Sequence, residues 1–166
     1  MNFRQKQKST KEKKRAKKMA KIDVLIKKLN KDAIIPKYSR DGDAGLDLHS
    51  CEHKIIKAGC RDTIHTGIAI GLPDGYAGFV QPRSGLALRH GISLVNTPGL
   101  IDSNYRGELI SILINTDKNQ DFEVNIGDRI AQLVIQKVEC ANLIEFDFDE
   151  NETNRGSAGF GSSGIK

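Results

Sequence analysis

The chain has 166 residues, which is enough for one compact domain but too few for two domains of ordinary size. Its net charge of +5 is unevenly spread, because residues 1–21 carry ten Lys/Arg and one acid while the remaining residues carry 16 bases and 20 acids. No stretch approaches the roughly 18 apolar residues of a membrane span, and the N-terminus lacks the apolar core of a secretory signal, so neither a membrane protein nor a secreted protein is expected.

The first predicted element is a disordered basic tail over residues 1–21, because this composition cannot bury enough apolar surface to order itself. Three interpretations of the tail remain open. It is a solvated, dispensable extension, an arm that makes nonspecific contacts with polyanions, or upstream sequence that precedes a true start at Met19. We favour the dispensable extension.

The main β-domain is predicted over residues 22–152, where apolar and polar residues alternate in short stretches. Glycine and proline mark turns between these stretches, as at Pro73-Asp74-Gly75, and only Ser84–His90 could form a helical turn or two. Short strands with frequent turns predict an all-β sandwich or barrel rather than alternating strands and helices. The predicted strands are Ile22–Ile26, Ile64–Leu72, Tyr76–Val80, Leu109–Ile114 and Leu133–Val138.

The three cysteines, Cys51, Cys60 and Cys140, are odd in number and have no C-x-x-C spacing. This pattern argues against both a disulfide framework and a zinc knuckle. A reducing, cytoplasmic location fits best.

Residues 153–166 form a glycine-rich C-terminal segment that includes Arg155 and Phe160. A glycine-rich end is usually a flexible tail. Here an arginine suited to phosphate and an aromatic ring suited to a base stand among the glycines, so the segment also has the composition of a mobile lid.

Four further segments carry polar side chains beside glycines or inside apolar strands. Each polar residue also has a plain structural explanation: Asp47 could cap a turn, Ser84 could cap the short helix, and Asp102 could form an Asx-turn. Arg129 and Gln132 could be solvated residues of a strand. The segments are AGLDL (Ala44–Leu48), PRSGLA (Pro82–Ala87), NTPGLIDSNYRG (Asn96–Gly107) and GDRIAQL (Gly127–Leu133).

Together with the C-terminal segment, these four stretches resemble the five motifs of the trimeric dUTPase family, in the same order and from about Ile22 to Gly164. The run Gly91–Gly107 is the most specific part. The last motif departs mildly from the usual pattern, with Ala158 at a frequent Gly and Ser163 at a frequent Thr. The resemblance implies a jelly-roll-like all-β fold with one short helix, assembled as a threefold homotrimer. It also implies hydrolysis of dUTP to dUMP and pyrophosphate, which keeps uracil out of DNA and supplies dUMP for thymidylate synthesis.

The resemblance also implies a role for each site residue. Asp102 is the catalytic residue, which orients and deprotonates the water that attacks the α-phosphorus. Mg²⁺ is the cofactor, and it contacts Asp47 mainly through water. Tyr105 packs against the deoxyribose, and the Gly91–Gly107 segment is expected to form a hairpin around uracil. The remaining substrate-binding residues are Arg83, Ser84, Gly85 and Gln132 for phosphates, Asn96 and Gly99 for uracil, and Arg155, Phe160, Gly161 and Ser162 in the lid.

In this family each site draws its first, second and fourth motifs from one chain, its third from a neighbour and its fifth from another neighbour. The same arrangement is expected here.

Three alternatives stand beside this interpretation. The related dCTP deaminases share the fold, but Asp102 and Tyr105 favour dUTPase. A non-catalytic trimer could bind nucleic acid through the basic tail. A serine hydrolase would need Ser84 paired with a base such as His90, but Ser84 lacks the G-x-S-x-G elbow.

Overall fold

The computed structural model describes residues 21–147 together with Asp149, Thr153 and Gly156. Within this part of the chain the fold is built from strands and one short helix, as predicted. The strands are β1 (Leu25–Lys28), β2 (Gly45–His49), β3 (Lys54–Ile56), β4 (Arg61–Gly71), β5 (Tyr76–Gln81), β6 (Ile92–Leu94), β7 (Gly99–Ile101), β8 (Glu108–Asn115), β9 (Phe122–Val124) and β10 (Arg129–Lys137). The helix is α1 (Ser84–His90).

The strands form two four-stranded antiparallel sheets and a small two-stranded one. The first sheet has the order β1-β4-β8-β6, the second has the order β2-β10-β5-β7, and β3 pairs with β9. The two larger sheets bury their inner faces against each other in a single apolar core, which is the layered arrangement of a jelly-roll-like sandwich.

Period-two alternation is clearest in β8, where Leu109, Ser111, Leu113 and Asn115 are buried and the residues between them are more exposed. Such alternation follows from the strand pleat, which points successive side chains to opposite faces. The core is completed by Ile64 and Ile68 of β4, both fully buried. The predicted strand at Leu109–Ile114 is therefore confirmed, one residue longer at each end.

A bulge interrupts β4 between His65 and Ala69, and it requires glycine at position 67. Gly67 has a φ of +66°, which side chains rarely adopt, and a Cβ there would lie 2.8 Å from the Cβ atoms of Asn30 and Ala33. The Glu108 carboxylate accepts a hydrogen bond from the Gly67 N–H at 2.7 Å. The Gly67 main chain is therefore held by the hydrogen bond to Glu108 and by close packing against Asn30 and Ala33.

Helix α1 has the bounds expected from the sequence. It ends at Gly91, which adopts the left-handed conformation with a φ of 63°. The residue before the helix is Arg83, and no side chain caps the first turn. The alternative in which Ser84 caps this helix is therefore wrong, because Ser84 is already the first helical residue.

The predicted hairpin over Gly91–Gly107 is not a paired hairpin. Strand β6 pairs with β8 in the first sheet, whereas β7 pairs with β5 in the second. The backbone groups of the two strands are therefore taken by different partners, and the chain crosses between sheets at Val95–Pro98, which includes a cis Thr97–Pro98 bond. This segment is a link between sheets rather than a β-ribbon.

The three cysteines are free. Among the residues that the structure describes, no helix has the length and apolar character needed to cross a membrane.

Candidate functional site

The side chains of Asp47, Gln132 and Gln81 lie in a row across three neighbouring strands. Asp47 on β2 stands opposite Gln132 on β10, and Gln132 stands opposite Gln81 on β5. Cross-strand partners project to the same face of a sheet. The antiparallel register therefore brings the predicted first and fourth motifs together, next to the end of β5 where the second motif begins.

The Asp47 carboxylate contacts three other side chains of this site. Its Oδ2 atom accepts hydrogen bonds from Ser39 Oγ at 2.6 Å and Arg129 Nη1 at 3.3 Å, and its Oδ1 atom lies 3.2 Å from Arg83 Nε. Partial burial works to raise the pKa of Asp47, but the Ser39 hydrogen bond and the two arginines outweigh burial and hold the pKa below its usual range. The ionised carboxylate keeps the two guanidinium groups in place.

Arg83 connects Asp47 to strand β10. Its Nη1 atom donates a hydrogen bond to the main-chain oxygen of Arg129 at 3.2 Å, while its Nε atom faces Asp47. The guanidinium fork thus makes both contacts at once, which a single-point ammonium group could not do. Arg83 is one quarter exposed, so it keeps one side open to a ligand.

Gln132 is also held by its surroundings. Its Nε2 atom donates a hydrogen bond to the main-chain oxygen of Pro82 at 2.9 Å. A Cβ at Gly45 would lie 2.8 Å from Gln132 Oε1, so the glycine makes room for this carboxamide. Gly45 belongs to the first motif but was not among the predicted site residues. Gly45 makes room for Gln132 because β2 and β10 are neighbouring strands, and the sequence does not show this pairing.

These residues surround a cleft of about 490 Å³. Three arginines contribute positive charge to its walls and two aspartates contribute negative charge. Such a polar, cationic cleft suits a phosphate-bearing ligand better than an apolar one. The predicted residues Asp47, Arg83, Ser84, Gly85 and Gln132 all line it, and the others are Ser39, Arg40, Asp43, Ala44, Gly45, Gln81, Arg129 and Val134.

Sequence reasoning missed Ser39 and Arg40, which lie in the loop before β2. No periodic pattern marks this loop, so its approach to Asp47 could be found only in three dimensions. Arg129 was weighed as a solvated strand residue. It is half exposed, but its contact with Asp47 makes it part of the cleft.

The third predicted motif lies elsewhere on the chain. Gly99 begins β7, and a Cβ there would lie 3.3 Å from Asn96 Nδ2, so these two predicted residues are neighbours. Asp102 and Tyr105 follow β7 in a turn closed by a hydrogen bond from the Tyr105 N–H to the Asp102 main-chain oxygen at 3.1 Å. The hydrogen-bonded oxygen is the carbonyl, so this turn is not the Asx-turn that was one alternative for Asp102.

Asp102 and Tyr105 are exposed, and neither contributes to the cleft of Asp47. Strand β7 runs antiparallel to β5, with Gly99 opposite Val80 and Ile101 opposite Gly78. The chain therefore moves away from Arg83 as it approaches Asp102. At about 3.3 Å per residue, the five residues from Gly78 to Arg83 correspond to roughly 15–20 Å. Within one chain, the third motif therefore contributes no residue to the lining of the cleft among the described residues.

The predicted lid residues Arg155, Phe160, Gly161 and Ser162 lie outside the described residues.

Comparison with known proteins identifies the family of this chain. The sequence profile of the dUTPase family matches residues 31–164. The deoxyuridine 5'-triphosphate nucleotidohydrolase of Thermobifida fusca is 50% identical over 143 residues, which cover 86% of this chain and 79% of the relative. The protein of the same name from Tropheryma whipplei strain Twist is 53% identical over 141 residues, covering 85% and 96%.

Solved structures give the same result. The Staphylococcus bacteriophage 80alpha dUTPase, solved with dUPNHPP, is 28% identical and superposes with a TM-score of 0.80, covering 86% of this chain and 99% of the phage protein. The G164S variant of that protein with dUpNHpp superposes with a TM-score of 0.78 at 27% identity. The family profile spans most of the sequence and the relatives are about half identical over nearly all of it, so this chain belongs to the dUTPase family.

Proposed function

We propose that the chain hydrolyses dUTP to dUMP and pyrophosphate, by attack of water on the α-phosphorus. The observation that carries this proposal is the cleft in which Arg83 and Arg129 flank Asp47 beside Ser84 and Gly85, within a dUTPase-family fold. Relatives about half identical to this chain are named deoxyuridine 5'-triphosphate nucleotidohydrolase. The reaction keeps uracil out of DNA and supplies dUMP for thymidylate synthesis.

The cleft supplies the groups that a triphosphate needs. Hydrolysis of a phosphoanhydride asks a protein mainly to position the phosphates and to neutralise their charge. Arg83, Ser84 and Gln132 bind phosphate oxygens, and Gly85 at the start of α1 lets the main chain approach closely. Arg129 adds a second guanidinium group, and we therefore include it among the phosphate-binding residues.

The donor set of the cleft fits a Mg²⁺ ion that is held largely by water and substrate. Mg²⁺ usually binds through one or two carboxylates plus substrate phosphates, and Asp47 presents one carboxylate to the cleft. Both of its oxygens already face Ser39 or an arginine, which favours contact through water over direct ligation. When bound, the ion neutralises charge on the phosphates and helps to hold them in line.

Asp102 is the general base in this proposal. The oxygen of a water molecule forms a bond to the α-phosphorus, the bond from that phosphorus to the bridging oxygen breaks, and pyrophosphate leaves. The proton of the water passes to the Asp102 carboxylate, which makes no hydrogen bond to any residue in the described part of the chain and is therefore available to accept it. Asp102 also accepts a hydrogen bond from the sugar 3'-hydroxyl.

Selectivity comes from the rest of the third motif and from the lid. Asn96 and Gly99 bind uracil, and Tyr105 packs its ring against the deoxyribose where a ribose 2'-hydroxyl would clash. In the C-terminal lid, Phe160 stacks on the base, Arg155 and Ser162 bind the γ-phosphate, and the Gly161 main chain closes around the phosphates. Lid closure excludes water other than the nucleophile.

We infer a homotrimer with shared sites, and the separation between Asp102 and the cleft supports it. Since one chain keeps these groups roughly 15–20 Å apart along β5, a complete site needs the third motif of a neighbour. Apolar side chains suited to subunit contacts are exposed on the same chain, among them Val95 at 48%, Leu100 at 60% and Ile110 at 41%. Three free cysteines suit a reducing location such as the cytoplasm.

The position of water attack can be tested with H₂¹⁸O. Attack on the α-phosphorus places ¹⁸O in dUMP and none in pyrophosphate, as read by mass spectrometry of both products after a single turnover. Label in pyrophosphate alone would place the attack on the β-phosphorus and overturn the proposed role of Asp102. Ammonia released from dCTP would instead indicate the deaminase alternative.

The shared site can be tested by mixing two inactive chains, an Asp102→Asn chain with its lid intact and a chain truncated before Arg155 with Asp102 intact. In every mixed trimer, threefold rotation gives about one complete site in three. Random equal mixing makes about three quarters of trimers mixed, so about a quarter of wild-type activity should return. Verified mixed trimers without recovered activity would refute sharing while leaving dUTP hydrolysis by the wild-type chain untouched.

A further inference from the structure

Gly107 stands directly after the turn that carries Asp102 and Tyr105, and its backbone does not explain why it is glycine. Its φ lies outside the left-handed region in which side chains are strained. The main chain at position 107 could therefore accept an alanine. The reason for glycine must lie in what surrounds it.

What surrounds it is the ring of Tyr105. A Cβ built on Gly107 would overlap the Tyr105 hydroxyl and Cζ, and it would lie 3.0 Å from Cε2. No other residue's atoms are among its three nearest neighbours. The hydroxyl end of the tyrosine ring thus lies against Gly107, in space that a side chain would occupy.

One hydrogen bond holds the ring itself, and two more brace the main chain of the same turn. The Tyr105 hydroxyl donates a hydrogen bond to the main-chain oxygen of Glu108 at 3.0 Å, which bridges over Gly107. The Arg106 guanidinium donates hydrogen bonds to the main-chain oxygens of Ser103 at 2.6 Å and Tyr105 at 2.7 Å. The ring is therefore held in this position by a contact of its own chain.

We propose that Gly107 is a positioning residue for sugar selectivity: its missing side chain lets the Tyr105 ring lie where it rejects a ribose 2'-hydroxyl. A methyl group at position 107 must displace the ring, and Tyr105 is 42% exposed, so the ring has solvent to move into. This inference rests on the proposed function, because it assigns the selectivity of the same site to a residue that does not touch the sugar.

The test compares kcat/KM for dUTP and UTP in four proteins: wild type, Gly107→Ala, Tyr105→Ala and the double variant. Gly107→Ala should lower the dUTP-to-UTP selectivity by about 10-fold or more, because displacement of a contact group by about 1 Å can cost up to about 100-fold. The same substitution in the Tyr105→Ala background should change selectivity by less than about twofold, because the ring on which it acts is gone. The Tyr105→Ala background is itself the control for the added methyl, since any effect that does not act through the ring persists there.

Each outcome decides a different point. Unchanged selectivity in Gly107→Ala, or an equal loss in both backgrounds, overturns the role of Gly107. If Gly107→Ala folds only when Tyr105 is also alanine, the steric coupling of the two residues is established, whereas misfolding in both backgrounds overturns it. A wild-type protein that releases no pyrophosphate from dUTP would instead refute the proposed function, before the variants are compared.

Discussion

The Asp47 carboxylate and the Arg83 guanidinium form an ion pair in the cleft, with 3.2 Å between Oδ1 and Nε. The pair joins the first motif to the second, which are far apart in sequence. Arg83 also donates to the main chain of β10, so a single side chain contacts both β2 and β10 beside the phosphate site.

Arg83→Lys should therefore lower kcat/KM for dUTP by about 10- to 100-fold, because a charge-assisted hydrogen bond contributes about 1.5–3 kcal/mol. Lysine keeps the charge but cannot pair with Asp47 and β10 at once. Arg129→Lys is the comparison, since Arg129 is half exposed and, among the described residues, its side chain pairs with Asp47 alone. Steady-state kinetics on both variants checks this prediction, and an equal or larger loss in Arg129→Lys would contradict it.

Asp102→Asn should lower kcat by about 10²- to 10⁴-fold, because an amide keeps the hydrogen bonds of the carboxylate but cannot accept the proton of water. Binding of dUTP, measured by calorimetry, should change little. Asp74→Asn is the control, because Asp74 is an exposed aspartate in the turn after β4 and belongs to none of the five motifs. Near-normal kcat in Asp102→Asn would remove Asp102 from its role.

Much of the fold could be predicted because glycine and proline separate short apolar stretches and because β8 alternates between buried and more exposed residues. Leu109–Ile114 lies within β8, Tyr76–Val80 within β5, and the helix Ser84–His90 was predicted with its observed bounds. Strands β3 and β9 have three residues each, too few to show a period, and they were missed.

The first strand shows a different limit of sequence reasoning. Alternation predicted Ile22–Ile26, but β1 runs from Leu25 to Lys28, because its bounds are set by pairing with β4 rather than by its own pattern. The candidate site also combines features that the sequence predicts with features that only the structure shows. Motif residues were identifiable along the chain, whereas the approach of Ser39 to Asp47 and of Tyr105 to Gly107 depends on loop geometry that no period encodes.

The ion pair between Asp121 and Lys57 should make stability depend on pH. The hydrogen bond from Lys57, together with the Ala58 N–H, holds the pKa of Asp121 below its ordinary value of 3.8. A carboxyl with a lowered folded-state pKa stabilises the fold above its unfolded value, and this contribution is lost as pH falls through the folded pKa. Asp121→Asn should therefore lower Tm at about pH 6, and the difference from wild type should shrink below pH 3.8. A difference in Tm that does not change with pH would contradict this account.

Deletion of residues 2–20 should leave the oligomeric state and kcat/KM for dUTP unchanged within about twofold, because the motifs begin at Ala44. Light scattering and steady-state kinetics check the two expectations. The intact chain should also be retained longer on a polyanionic resin than the deleted one, and the difference should fall as salt rises. Lost activity would make the tail part of the enzyme, and equal retention would remove it as a polyanion-binding arm.

The central claim is dUTP hydrolysis, and pyrophosphate release from dUTP, dTTP, dCTP and UTP tests it most directly, with Mg²⁺ and after chelation by EDTA. We expect rapid release from dUTP with Mg²⁺ and a large loss of rate with EDTA. Release from the other three nucleotides should be far slower, because dTTP adds a methyl group and UTP adds a 2'-hydroxyl that the site has no room for. For dCTP the loss should reach about 10⁴-fold, since its amino group leaves polar groups of the site unpaired. Comparable release from dTTP, or no release from dUTP, would contradict the assignment.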